Sequence, residues 1–212
     1  MPASSGYRGI KLFVAASLAV VVALVIAMRL GLSGPVRRLD VWFVPTTTEV
    51  LDRMLQMARI RPTDIVYDLG CGDGRIVIAA AKQYGVQAVG TDLDPARIRE
   101  AQANAKTAGV ENLVTFRVED LFQTDLRDAS VVTLYLLPEL NRRLIPKLFA
   151  ELRPGARVLS HDWDMGKDWP PDQQLTLGSD KIFLWIMPPL EARKTLPIAG
   201  GGVSGPPTPA AR

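Results

Sequence analysis

The sequence predicts an α/β domain on a mostly parallel sheet of seven strands, closed by an antiparallel hairpin and preceded by a transmembrane helix. Three observations carry this. From residue 64 onward, short apolar runs alternate with amphipathic ones, the pattern of a parallel sheet covered by helices. Late in the chain, "QQLTL" and "KIFLWIM" are separated by Gly178, Ser179 and Asp180, which reads as a hairpin at a sheet edge. At the other end, "LFVAASLAVVVALVIAM" (residues 12–28) carries no charge across seventeen positions.

That apolar run comes first in the chain. As a helix it reaches about 25 Å, close to the thickness of a bilayer's hydrocarbon core. Lys11 and Arg29 stand where they can snorkel at its ends. The following "MRLGLSGPVRR" lacks a small-x-small cleavage site, so residues 1–33 read as an uncleaved anchor rather than a signal peptide. An unbroken apolar circumference disfavours a soluble helix. Arg29, Arg37 and Arg38 follow the run, against Arg8 and Lys11 before it, which favours a single-pass protein with its main domain cytoplasmic.

Residues 34–62 form a linker and one helix. Thr46, Thr47 and Thr48 offer an N-cap, and Glu49 suits a first helical turn. Val50, Leu51, Met54, Leu55 and Ala58 then recur at helical spacing until Pro62. The alternating domain occupies 63–190, with strands at 65–69, 87–91, 113–118, 130–136 and 157–161 and helices at 75–83, 95–107 and 139–151. Asp94 caps the second of these helices, with Pro95 at its first position. Residues 191–212 are rich in Gly, Pro and Ala and are predicted to be a disordered tail.

Composition removes several function classes. The net charge of +3 is spread without any Lys/Arg block, so no nucleic-acid partner is expected. One cysteine, Cys71, and one histidine, His161, exclude an intrachain disulfide and a Cys/His zinc site, and no metal is expected. Cys71 reads as a small packing residue and His161 as a structural histidine.

Chemistry concentrates where the first strand ends, in "DIVYDLGCGDG". Gly70, Gly72 and Gly74 permit a tight turn and close backbone approach, and the helix opening after them offers N–H groups. The order does not match G-x-G-x-x-G, and no Gly-Lys-Ser/Thr follows, so neither a dinucleotide nor a nucleoside triphosphate fits. An acid beside the loop, Asp68, argues against pyrophosphate. It suits a ligand with an amino group and a positive centre, as S-adenosylmethionine has. Asp92 ends the second strand in "GTDLDP", placed to accept both ribose hydroxyls. After the third strand, in "VEDLF", Asp120 and the backbone of Leu121 are placed to hold an adenine edge. Asp73 and Leu93 complete the expected cofactor-binding set.

These three motifs resemble the class I S-adenosylmethionine-dependent methyltransferases over roughly residues 45 to 188. The resemblance implies a Rossmann-like fold and S-adenosyl-L-methionine as cofactor. "FVPTTTEVLDRMLQMA", "VVTLYLLPELNRRLIPKLFAELRPG" and "VLSHDWDMGKDWPPD" together with the anchor further resemble the mitochondrial-type protein-lysine methyltransferases acting on the ATP synthase c subunit and the adenine nucleotide translocase. That implies methylation of a lysine near a bilayer, the bacterial inner membrane for a bacterial relative. Tyr135 lies where a transferred methyl would emerge, unless it is only a packed strand aromatic, and Asp162 lies on the same rim; these are the candidate catalytic residues. Two other readings stay open: a methyltransferase for a small or lipid-like molecule, and a non-catalytic S-adenosylmethionine-binding protein.

Overall fold

The computed structural model describes residues 46–193. The anchor expected over 1–33 and nearly all of the expected tail lie outside them. Among the described residues no helix is long and apolar enough to cross a membrane.

The first described helix, α1 (Thr48–Ala58), starts as the threonines predict: Thr47 is the N-cap, and its side chain accepts from the Val50 N–H. The alternation then follows: β1 (Ile65–Leu69), α2 (Arg75–Tyr84), β2 (Gln87–Asp92), α3 (Pro95–Ala108), β3 (Val114–Val118), β4 (Val131–Leu134), α4 (Pro138–Glu151), β5 (Arg157–His161), β6 (Gln173–Leu177), β7 (Asp180–Ile186) and the short α5 (Leu190–Arg193). Asp94 caps α3 by accepting from the Ala96 N–H, with Pro95 at the first position.

All seven strands form one sheet in the order β3-β2-β1-β4-β5-β7-β6. The first five run parallel, while β7 is antiparallel to both β5 and β6. Strand order reverses between β1 and β4, so a crevice opens beyond their carboxyl ends, where open α/β sheets take ligands. One face of the sheet packs against α1, α2 and α3 through residues such as Met54, Leu55, Val77 and Leu159. The other packs against α4 through Leu140, Leu144 and Leu148, with Trp185 buried behind them.

Two boundaries differ from the sequence reading by more than one residue. The strand expected at 130–136 is only Val131–Leu134, and its helix begins at Pro138. A proline holds the residue before it extended; Leu137 accordingly sits at φ −61°, ψ 150°, and residues 135–137 form an irregular connection between strand and helix. The predicted tail also starts too early. Arg193 is buried, and its guanidinium donates to the carbonyls of Phe149, Leu152 and Pro188. It thereby satisfies the orphan carbonyls at the end of α4. A basic residue ahead of a Gly/Pro-rich stretch gave no local sign of this.

Candidate active site

The glycine loop between β1 and α2 is tied together by its own amides. Gly70 and Cys71 N–H both donate to the Thr91 carbonyl, at 2.8 and 2.9 Å, and Gly74 N–H donates to the Cys71 carbonyl at 2.9 Å. Gly72 N–H donates to Asp92 Oδ2 at 3.0 Å, and Arg75 N–H to Asp73 Oδ1 at 3.2 Å. The expectation of a free N–H at Arg75 is therefore corrected: Asp73 covers it. What the loop offers a ligand is shape. At Gly70 (φ +82°) a Cβ would lie 3.0 Å from the Leu136 side chain. Gly74 has a different reason to be glycine: at φ +79°, a Cβ would lie 2.7 Å from the Phe116 ring and 2.9 Å from Ala101. Cys71 packs as read, its Sγ filling the space beside Gly90. Burial, reinforced by the charges of Asp68 and Asp92, pushes its thiol pKa up, so it is no nucleophile.

The three acids sit at the carboxyl ends of three adjacent strands. Asp68 in β1 pairs in register with Gly90 in β2, and Asp92 pairs with Val118 in β3, two residues before Asp120. Neighbouring strands run about 4.8 Å apart, so the carboxylates line one edge of the crevice. Asp68 is 3% exposed and accepts from Thr133 Oγ1 at 2.7 Å. Its pKa is pushed up to about 7, first by burial, against the Thr133 hydrogen bond, and further by the charges of Asp92 and Asp73. A buried carboxyl raised in this way gains most from a cationic ligand. Asp92 also accepts from the Asp94 N–H, and Asp120 from the Phe122 N–H, so both are fixed in place before any ligand arrives. Leu93 is half-buried beside Asp92, and Leu121 packs against the core.

Asp73 serves the fold. Its carboxylate takes the Arg75 guanidinium, which also donates to the Thr46 carbonyl at 2.8 Å. With Thr48, Arg75 and Asn104 it lines a cleft of about 370 Å³ beside α1, α2 and α3. Despite partial burial, the Arg75 hydrogen bonds hold its carboxyl below the usual carboxylate range.

Beyond β4 and β5 a second cluster forms. Tyr135 Oη donates to Asp162 Oδ2 at 3.2 Å, so the two candidate catalytic residues meet. Burial and the Asp162 charge push the Tyr135 hydroxyl pKa up, keeping it a donor. The Tyr135 ring lies 3.9 Å from that of His161 between centroids. Asp162 has φ +62°, a left-handed conformation rare for a residue with a Cβ. Two bonds to β7 hold it there: its N–H donates to the Lys181 carbonyl at 2.7 Å, and Lys181 N–H donates to its Oδ1 at 3.0 Å. Leu137 and Trp163 expose 47% and 42% of their surface next along the chain, an apolar border around polar groups.

Two members of this cluster escaped the sequence reading. Asp180 read as a hairpin turn residue, yet β7 returns antiparallel to β5 and carries it to His161, at 3.5 Å. The signal was the hairpin register. Thr46 read as one of three capping threonines, yet its Oγ1 lies 3.2 Å from His161 Nδ1. One polar side-chain atom from each of His161, Asp162 and Asp180 lies within 4.8 Å of the other two.

The chain is similar to known proteins. A family model described as the ANTKMT methyltransferase domain matches residues 68–173. A protein-lysine N-methyltransferase from Saccharolobus islandicus is 46% identical over 150 residues, 68% of this chain and 92% of that protein. A lysine N-methyltransferase of the ATP synthase c subunit, from Xenopus laevis, is 37% identical over 149 residues, 70% of this chain; the match spans 65% of the Xenopus protein. Among solved structures, an RNA methyltransferase from Salinibacter ruber in complex with S-adenosyl-L-homocysteine is 52% identical, with a TM-score of 0.67 over 68% of this chain and 94% of that one.

Proposed function

Because the chain belongs to the ANTKMT methyltransferase family and is an S-adenosylmethionine-dependent methyltransferase, we propose that it methylates lysine side chains of proteins at a membrane surface. One observation carries the lysine reading: the Tyr135–Asp162 pair is formed by residues followed closely in the chain by exposed Leu137 and Trp163. An apolar border suits the four-carbon stem of lysine, and the carboxylate suits its ammonium. The Saccharolobus relative's name supports a protein lysine, and the Xenopus relative's name a component of ATP synthase. Residues 12–28 supply the membrane argument, since a tether raises effective concentration toward embedded substrates.

In this reading Asp68 faces the cofactor's amino group, Asp92 its ribose hydroxyls, and Asp120 with Leu121 its adenine. The cofactor supplies a methyl group already activated by sulfonium. The residues supply orientation and field. Gly70 and Gly72 leave room beside the loop, Leu93 borders it, and Gly74 and Asp73 hold the loop in shape.

A second reading, methylation of RNA, is favoured by the name of the Salinibacter neighbour. The carboxylates Asp162 and Asp180 on the rim oppose a phosphate backbone. Full-length protein incubated with membranes, RNA and labelled S-adenosylmethionine decides among the classes. The expected result is label in protein, recovered as methyl-lysine after acid hydrolysis. Label confined to the RNA or to the organic extract overturns the lysine reading.

A further inference from the structure

We propose that Asp162, Asp180 and His161 Nε2 form the seat of the substrate's amino group, with His161 as acceptor of the proton the amine must shed. This rests on the lysine reading above. It assigns a role to a histidine that the sequence presented as structural, and to an aspartate that it presented as part of a turn.

His161 ends β5 and is 2% exposed. Its Nδ1 faces Thr46 Oγ1 at 3.2 Å. Its Nε2 is buried and makes no hydrogen bond among the described residues. The polar atoms before it are Asp162 Oδ1 at 3.6 Å and Asp180 Oδ1 at 3.5 Å, both beyond good hydrogen-bond length. A buried ring nitrogen left unpaired is unfavourable and calls for a reason. A histidine kept only for packing would close on one of these carboxylates at normal length. Here it is held back: the Tyr135 ring lies tilted against its ring, Thr46 holds its other nitrogen, and Asp162 is pinned to β7 through Lys181 N–H.

With the ring proton on Nδ1 and directed at Thr46 Oγ1, Nε2 is a bare acceptor. Three acceptors then converge on one point. They repel one another unless a cation with several N–H donors enters. A primary ammonium has three such donors and one positive charge. The two aspartate side chains remain 26% and 33% exposed, so the seat opens outward through them while the imidazole forms its floor. The groups facing the ring are Asp162 after β5, Asp180 from β7, Tyr135 after β4 and the Thr46 hydroxyl ahead of α1.

An ammonium has no lone pair and cannot attack carbon. In the seat, one N–H proton passes from the ammonium to His161 Nε2, leaving a neutral amine and an imidazolium flanked by two carboxylates. The amine nitrogen then forms the N–C bond as the methyl group's C–S bond breaks, the electron pair remaining on sulfur. The product leaves as a methylated ammonium, and the imidazolium returns its proton to solvent along Asp162 or Asp180.

The chain has a single histidine, so its ring signals are assigned without ambiguity in full-length protein carrying no histidine tag. Nitrogen-15 spectra in detergent are recorded with and without Nα-acetyl-lysine-methylamide. A shift of the His161 Nε2 signal on adding this amine is expected, and none with its acetylated, uncharged counterpart. In assays, Asp180→Asn raises KM for a lysine peptide about tenfold. His161→Gln lowers kcat by on the order of 10²-fold. Calorimetry with S-adenosyl-L-homocysteine gives wild-type affinity for both variants. A histidine signal indifferent to the amine, variants with wild-type kinetics, or one tightly held divalent ion per chain overturns the proposal. If the amine shifts His161 while hydrolysates contain no methyl-lysine, the lysine reading fails and the seat stands.

Discussion

Asp68 is an acid in a place unfavourable to charge, 3% exposed with the Thr133 hydroxyl as its partner. Burial foremost, then the charges of Asp92 and Asp73, raise it from its ordinary 3.8 to about 7. The folded protein thus holds this proton more tightly than the unfolded chain. That contribution to stability is fully present below about pH 4 and is lost as pH rises through 7. Urea unfolding of the ligand-free protein is expected to show lower stability at pH 8 than at pH 5 from this group, with the difference reduced in Asp68→Asn. Cofactor binding runs the other way, since a cationic amine favours the ionised acid. Calorimetry should find tighter binding as pH rises from 6 to 8, with proton release at pH 6. Gly74 makes a purely steric prediction. Gly74→Ala meets Phe116 at 2.7 Å with φ at +79°, and a loss of about 1–3 kcal/mol in denaturant unfolding is expected.

Helix α4 opens on Leu137, an N-cap that makes no side-chain cap bond and is 47% exposed. A leucine is among the poorest N-caps, and its place on the rim beside Tyr135 supplies the reason to keep it. Leu137→Ser is expected to raise unfolding stability by about 1 kcal/mol while raising KM for a lysine peptide, the trade expected where function selects against local stability. At the amino-terminal ends of the parallel strands, opposite the crevice, Arg157 opens β5 and Asp64 precedes β1. Their ion pair has side chains 11% and 6% exposed. Burial alone would raise Asp64, but hydrogen bonds from Arg157, the Arg61 amide and Ser130 outweigh it and hold the carboxyl below its usual range. Its stabilisation is present above about pH 4 and is lost as pH falls through the folded value. Arg157→Ala leaves that charge buried and unpaired, and a loss of about 3 kcal/mol at pH 7 in urea unfolding is the expected outcome.

For the whole molecule, the proposed action at a membrane surface rests on the apolar run at residues 12–28. Deleting residues 1–33 is expected to leave S-adenosylmethionine affinity unchanged in calorimetry and to lower methylation of membrane proteins relative to soluble peptides; undiminished membrane labelling ends the tether argument. The chain alone disclosed the strand–helix alternation, the hairpin and the acids at the ends of β1, β2 and β3. Those are local properties: side-chain period, turn residues and caps are written within a dozen positions of one another. The antiparallel return of β7 beside β5, the capping of α4 by Arg193, the use of Asp73 within its own loop, and the gathering of Thr46, Tyr135, His161, Asp162 and Asp180 at one rim were decided by the tertiary structure. Thr46 and His161 are 115 residues apart and meet only because α1 packs across β5 and β7. Pairings over such distances depend on register and layer packing, which no local pattern of residues encodes.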